Sequence, residues 1–166
     1  RRILPSCGSV EFKDLLVETF PVPHDAACPV GFIFRNAKYS IALVTDLGCV
    51  TSYILERLQQ LDCIVLEANH DEEMLKNGKY PWSLKKRILG DNGHLSNTHA
   101  AENLLKILAP KTKHVVLAHL SEENNYAALA HDTVCCRLEE GGYKPGKQVI
   151  VQVAERHTPS CHIRLV

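Results

Sequence analysis

Hydrophobic positions change their period near residue 50. Up to that point apolar residues alternate with polar ones or gather in short branched runs, which is the habit of strands. The segment "VEFKDLLVETFPV" (10–22) predicts two short strands around Lys13-Asp14, and "GFIFRN" (31–36) with "KYSIALVTD" (38–46) predicts a hairpin turning at Asn36-Ala37. Beyond residue 50, aliphatic runs alternate with stretches of helical period. "TSYILERLQQ" (51–60) has Thr51 as a candidate N-cap and Ile54, Leu55 and Leu58 on one face. "CIVLEAN" (63–69) reads as a buried strand and "HDEEMLKNG" (70–78) as a helix closed by Gly78. "PWSLKKRIL" (81–89) predicts a short helix with Pro81 in its first turn, and "SNTHAAENLLKILAP" (96–110) a longer one stopped by Pro110. "KHVVLAH" (113–119) is a strand, "YAALAHDTVCCRLEEGG" (126–142) a glycine-ended helix, and "KQVIVQVAE" (147–155) a last strand.

A strand cluster followed by repeated strand-helix units predicts an α/β protein with mixed sheets and flanking helices. The carboxyl ends of such strands are where sites are usually built. The chain, 166 residues with 45% hydrophobic and 23% charged content, fits one globular domain. The formal net charge is zero, so no overall basic footprint for nucleic acid exists, and any such contact must be local. There is no apolar run of about 18 residues, the length a membrane helix needs. The seven cysteines (7, 28, 49, 63, 135, 136 and 161) contain no CxxC pair, which predicts reduced thiols and a cytoplasmic location.

Several strand ends turn polar at residues with chemistry. Asp46 follows the aliphatic run of residues 41–44; it is either a turn aspartate before Gly48 or a buried acid that needs a partner or a metal. Glu67 and His70 follow "CIVL". Asn69 or Asp71 explains itself as a helix cap, which leaves Glu67 without an explanation. His94 lies in "DNGHLSN" just before a helix. It is an exposed loop histidine or one placed beside free N–H groups that favour phosphate oxygens. His24 sits in a proline-flanked loop, and His119 ends the strand of residues 113–119, a position open to a structural role or a ligand. His99, His114, His131, His157 and His162 are assigned no chemistry.

The strings "FPVPHDAACPVGF", "VTDLG", "LEANHDEEML", "GKYPWSLKKRILGDNGHLSN" and "LAHLSEENN" occur in that order over roughly residues 15–130. Together they resemble the C-terminal part of metallo-β-lactamase-fold hydrolases, nearest the YycJ/WalJ group and more distantly ribonuclease Z. The resemblance implies the C-terminal half of an αββα sandwich, with His24, Asp46 and His119 as metal ligands and Asp46 bridging two ions. Glu67 and His94 resemble the pair in which a glutamate orients a histidine near the scissile phosphate. Asn69, His70 and Asn97 are expected to contact substrate.

The resemblance further implies two divalent ions, zinc or manganese, and a phosphodiesterase acting as an exonuclease on nucleic acid, DNA ahead of RNA. It implies no membrane partner and is compatible with a homo-oligomer. The superfamily's HxHxDH signature is absent from these 166 residues. The chain is therefore expected to be a partial domain, inactive alone, with an apolar sheet face or an unpaired edge left open. Alternatives are a non-catalytic subunit completed by a partner chain and a small-molecule ester or lactone hydrolase.

Overall fold

The computed structural model describes residues 4–160 and 162–165. Seven strands form one sheet in sequential order: β1 (Gly8–Phe12), β2 (Leu15–Pro21), β3 (Val30–Arg35), β4 (Ser40–Val44), β5 (Cys63–Glu67), β6 (His114–Ala118) and β7 (Ile150–Val153). The first four pair antiparallel, and β4 to β7 pair parallel. The sheet is thus mixed, as the change of period predicts. Antiparallel neighbours need only tight turns. At 36–39 the Asn36 side chain accepts the N–H groups of Lys38 and Tyr39, so this turn is wider than the predicted Asn36-Ala37 one.

Parallel neighbours need crossovers, and here helices supply them: α1 (Ser52–Leu58), α2 (Glu72–Asn77), α3 (Trp82–Leu89), α4 (Asn97–Ile107) and α5 (Ala127–Glu140). Thr51, Asp71 and Ser96 each accept the backbone N–H three residues on, fixing where α1, α2 and α4 begin. α4 ends at Ile107 rather than at Pro110. Leu108 turns to extended backbone, and Ala109, preceding proline, is disfavoured in helix. The last strand is also shorter than the predicted 147–155.

Because the strand order is monotonic and such crossovers are right-handed, α1, α4 and α5, one from each crossover, fall on one face. α4 packs between α1 and α5 over that face. Ile33, Ala42, Val44, Ile64, Leu66, Val115 and Leu117 from the sheet are buried with Ile54, Leu58, Leu104, Val134 and Leu138 from the helices. Residues of opposite parity form a second apolar face carrying Phe32, Phe34, Ile41 and Leu43. Leu43 there is 37% exposed, and Phe12 and Ile150 farther along are 64% and 44% exposed. Among the described residues no helix is long and apolar enough to cross a membrane. Cys7, Cys28, Cys49, Cys63, Cys135 and Cys136 are free thiols, and Cys161 lies outside the described residues.

Candidate metal centre

The carboxyl ends of β4, β5 and β6 deliver Asp46, Glu67 and His119 to one edge of the sheet, where loops bring His24 and His94. Both Asp46 (φ 57°) and His119 (φ 58°) adopt the left-handed backbone region, which aspartate and histidine tolerate better than branched residues do. Such strain, about 1–2 kcal/mol per residue, tends to be kept where a side chain must be aimed. The loop carrying His94 packs against the turn after Asp46 through bare backbone. A Cβ on Gly48 would lie 2.4 Å from the carbonyl of Asp91, and one on Gly93 would lie 2.2 Å from the Ile88 oxygen.

Glu67 organises the cluster from beneath. Its side chain is fully buried, and four donors converge on its two oxygens. Oε1 accepts from His94 Nδ1 at 2.7 Å and His119 Nδ1 at 2.6 Å, while Oε2 accepts from the N–H groups of Leu47 (3.0 Å) and Leu95 (3.4 Å). Burial alone would push this carboxyl up. The hydrogen bonds from His119 and His94 outweigh it and hold Glu67 below the usual carboxylate range. The His119 imidazolium is favoured in turn, first by its hydrogen bond to Glu67, against the opposing effect of burial.

Donor roles follow from the acceptors. His24 Nδ1 lies 3.1 Å from the Gly93 carbonyl, so it carries the proton and leaves Nε2 as the lone-pair nitrogen. His119 Nδ1 is committed to Glu67 in the same way. The two Nε2 atoms then approach one oxygen: each lies 3.7 Å from Asp46 Oδ1. Two donors bound at about 2.0–2.1 Å to one tetrahedral zinc would stand about 3.3 Å apart, close to this spacing. The residues present therefore fit a metal ion. Asp46, Glu67, His94 and His119 each place a ligand-type atom within 4.8 Å of the others. Glu67 belongs to that group by distance, but with every donor contact taken it positions histidines rather than offering a ligand. The ring centroid of His94 lies 5.0 Å from that of His24 and 5.2 Å from that of His119.

The five residues named for metal or catalysis thus converge. Of the three named for substrate contact, only Asn69 reaches that place. His70 and Asn97 are each 1% exposed and lie in the interior. Asn97 exchanges amide hydrogen bonds with Asn125, and His70 contributes its carbonyl to the Asn97 N–H. Asn69 reaches the wall of a cavity of about 310 Å³ that His94 and His119 also line, but its Nδ2 is occupied by the His119 carbonyl at 2.8 Å. Asn125 is the residue that sequence reasoning missed. Its amide holds the carbonyls of Ala68 and Asn69 and the side chain of Asn97, tying the end of β5 to the start of α4.

The comparison with known proteins agrees with this architecture. The beta-lactamase superfamily domain matches residues 1–120. The chain belongs to the metallo-β-lactamase superfamily. Exodeoxyribonuclease YycJ of Bacillus anthracis is 40% identical over 161 residues, covering 96% of this chain and 61% of that protein. Exodeoxyribonuclease WalJ of Streptococcus pneumoniae is 43% identical over 129 residues, covering 78% of this chain and 48% of that protein. The metallo-β-lactamase fold protein YhfI of Bacillus subtilis superposes with a TM-score of 0.61 at 11% identity, over 92% of this chain and 52% of that one. This superfamily member therefore spans about half to three-fifths of the curated relatives' length.

Proposed function

We propose that this chain carries the C-terminal part of a metal-dependent phosphodiesterase that acts on DNA as an exonuclease. The observation that carries the reading is the pair of tautomer-locked histidines, His24 and His119, whose Nε2 atoms both face Asp46 Oδ1 at 3.7 Å. The names of the two exodeoxyribonuclease relatives support the substrate class. His24, Asp46 and His119 would hold metal, and two divalent ions, zinc or manganese, when bound would activate a water and neutralise phosphate charge. Histidine with carboxylate suits either ion.

The chain's own residues divide the remaining work. Glu67 fixes the tautomer of His94 and His119 and keeps both rings aimed at the same space. His94, with Nδ1–H held by Glu67, turns Nε2 to the substrate side. Protonated there, it donates to the phosphate or to the leaving oxygen as charge develops. Three ligands fall short of what two ions need, so the centre is completed by residues from outside this chain. The partly exposed apolar face of β3 and β4 suits the second layer of the sandwich.

The test is metal content and nuclease activity of the purified 166-residue chain and of the complete protein. Expected are weak metal binding and no turnover for the chain, two ions and strand cleavage for the complete protein, and loss of both with Asp46→Ala. Two tightly bound ions with turnover in the short chain would contradict the incomplete centre. A complete protein that leaves DNA intact would contradict the phosphodiesterase.

A further inference from the structure

Two arginines line the cavity beside the cluster, and their surroundings differ. Arg87 grips both oxygens of Asp25 through Nε and Nη2, while the Asp25 backbone N–H donates to Asn92. That fork pins the loop bearing His24 to the end of α3, so Arg87 serves the loop. Arg156, which follows β7, is held more loosely. Its Nη2 donates to the Leu120 carbonyl and its Nη1 lies 2.9 Å from Glu122 Oε1, with the side chain 49% exposed. A guanidinium has five N–H donors, so several remain for a ligand.

The position of Arg156 is more telling than its pairing. A second cavity of about 290 Å³ adjoins His119 and is lined by His119, Leu120, Ala154, Glu155 and Arg156. The residues common to both cavities are His119 and Arg156. A strand laid across the cluster and extending into both cavities must therefore pass this guanidinium. We propose that Arg156 is a substrate-positioning residue that takes the phosphate next to the scissile one as the strand passes over His119.

This inference rests on the phosphodiesterase reading and adds a residue that the metal centre does not require. Guanidinium matches phosphate oxygens with paired N–H groups, a charge-assisted contact. Glu122 is 60% exposed and is shared with His157 Nε2 at 3.5 Å. A solvent-exposed ion pair of this kind is worth about 0–1 kcal/mol, so phosphate displaces Glu122 readily. In the free protein Glu122, which lines the first cavity, holds the arginine, and Glu155 is the acid that lines the second.

The test is binding of a single-stranded oligothymidylate to the complete protein, followed by fluorescence anisotropy over a range of salt concentrations in EDTA, so that no strand is cut. Each phosphate contact to single-stranded DNA contributes about 0.7 to the slope of log K against log salt. Arg156→Ala should reduce the slope by about 0.7 and leave the thermal midpoint unchanged. Arg156→Lys should keep the slope with weaker binding, and Glu122→Gln should bind more tightly. A purely structural role would not separate slope from affinity in this way. Equal slopes for the parent and Arg156→Ala would overturn the role of Arg156 while leaving the phosphodiesterase reading intact. A complete protein that does not bind even at low salt would count against nucleic acid as the substrate, and the inference would fall with it.

Discussion

Glu67→Gln isolates the contribution of one buried charge, because it preserves size and shape while removing half of the acceptor capacity. The carboxylate serves four donors, two histidine Nδ1–H groups on one oxygen and two backbone N–H groups on the other. The amide has one oxygen, so in either orientation its NH2 confronts two donors that lose their acceptor. Hydrogen bonds to charged groups contribute about 1.5–3 kcal/mol each, and breaking a buried ion pair costs about 3–5 kcal/mol. His119 is 40% exposed and rehydrates in part, which favours the lower end. The expected loss is about 3 kcal/mol, or a fall of about 1.5 M in urea midpoint for a slope of about 2 kcal/mol per M.

The pH dependence carries the sign of the interaction. Glu67 is depressed below its ordinary 4.5, so its contribution is fully present above that pH and is lost as pH falls through the folded value. His119 is raised above its ordinary 6.5, so its contribution is present below that pH and is lost as pH rises through the raised value. Both are present together between 4.5 and 6.5. The difference between parent and variant should peak in that window and shrink on either side. A flat difference, or a loss below about 1 kcal/mol, would refute the four-donor account.

Three further outcomes concern His70, Lys85 and Gly48. His70 has no hydrogen-bond partner for either ring nitrogen among the described residues, and burial pushes it down from 6.5 to about 4. The unfolded chain therefore binds its proton first, and about 3 kcal/mol of stability should drain away between those pH values in the parent but not in His70→Leu, as read from urea midpoints. Lys85 is 8% exposed and donates to the carbonyls of Lys76 and Gly78 at the end of α2; Lys85→Met should cost about 2–3 kcal/mol in chemical denaturation, and the exposed Lys76→Ala under about 0.5 kcal/mol. Gly48→Ala should force the 91–93 backbone away, costing about 1–3 kcal/mol in thermal unfolding and shifting the His94 resonances; an unperturbed His94 would show that the loop contact is dispensable.

What the sequence shows and what it hides divide by range. Caps at Thr51, Asp71 and Ser96 are legible because each acts within three residues, and the strand-helix alternation is legible because its period is local. The early end of α4 needed the proline's effect on Ala109 to be weighed against continued helical period. The service of Glu67 to His119 spans 52 positions, and the reach of Asn125 to Ala68 spans 57. No local pattern encodes pairs that distant, so only the resemblance brought His24, Asp46 and His119 together beforehand. The burial of His70 and Asn97, expected at the substrate, was hidden for a related reason, since the amide partner of Asn97 is Asn125, far along the chain.

The central claim, that His24, Asp46 and His119 hold metal, is tested most directly by nitrogen NMR of the histidine rings during zinc titration of this chain. The account predicts that Nε2 of His24 and of His119 shifts on zinc addition while the His94 Nδ1–Glu67 contact persists, and that Asp46→Ala weakens the response at least tenfold, the lower bound for loss of even a supporting residue. Shifts confined to other histidines, or an equal response in Asp46→Ala, would contradict it.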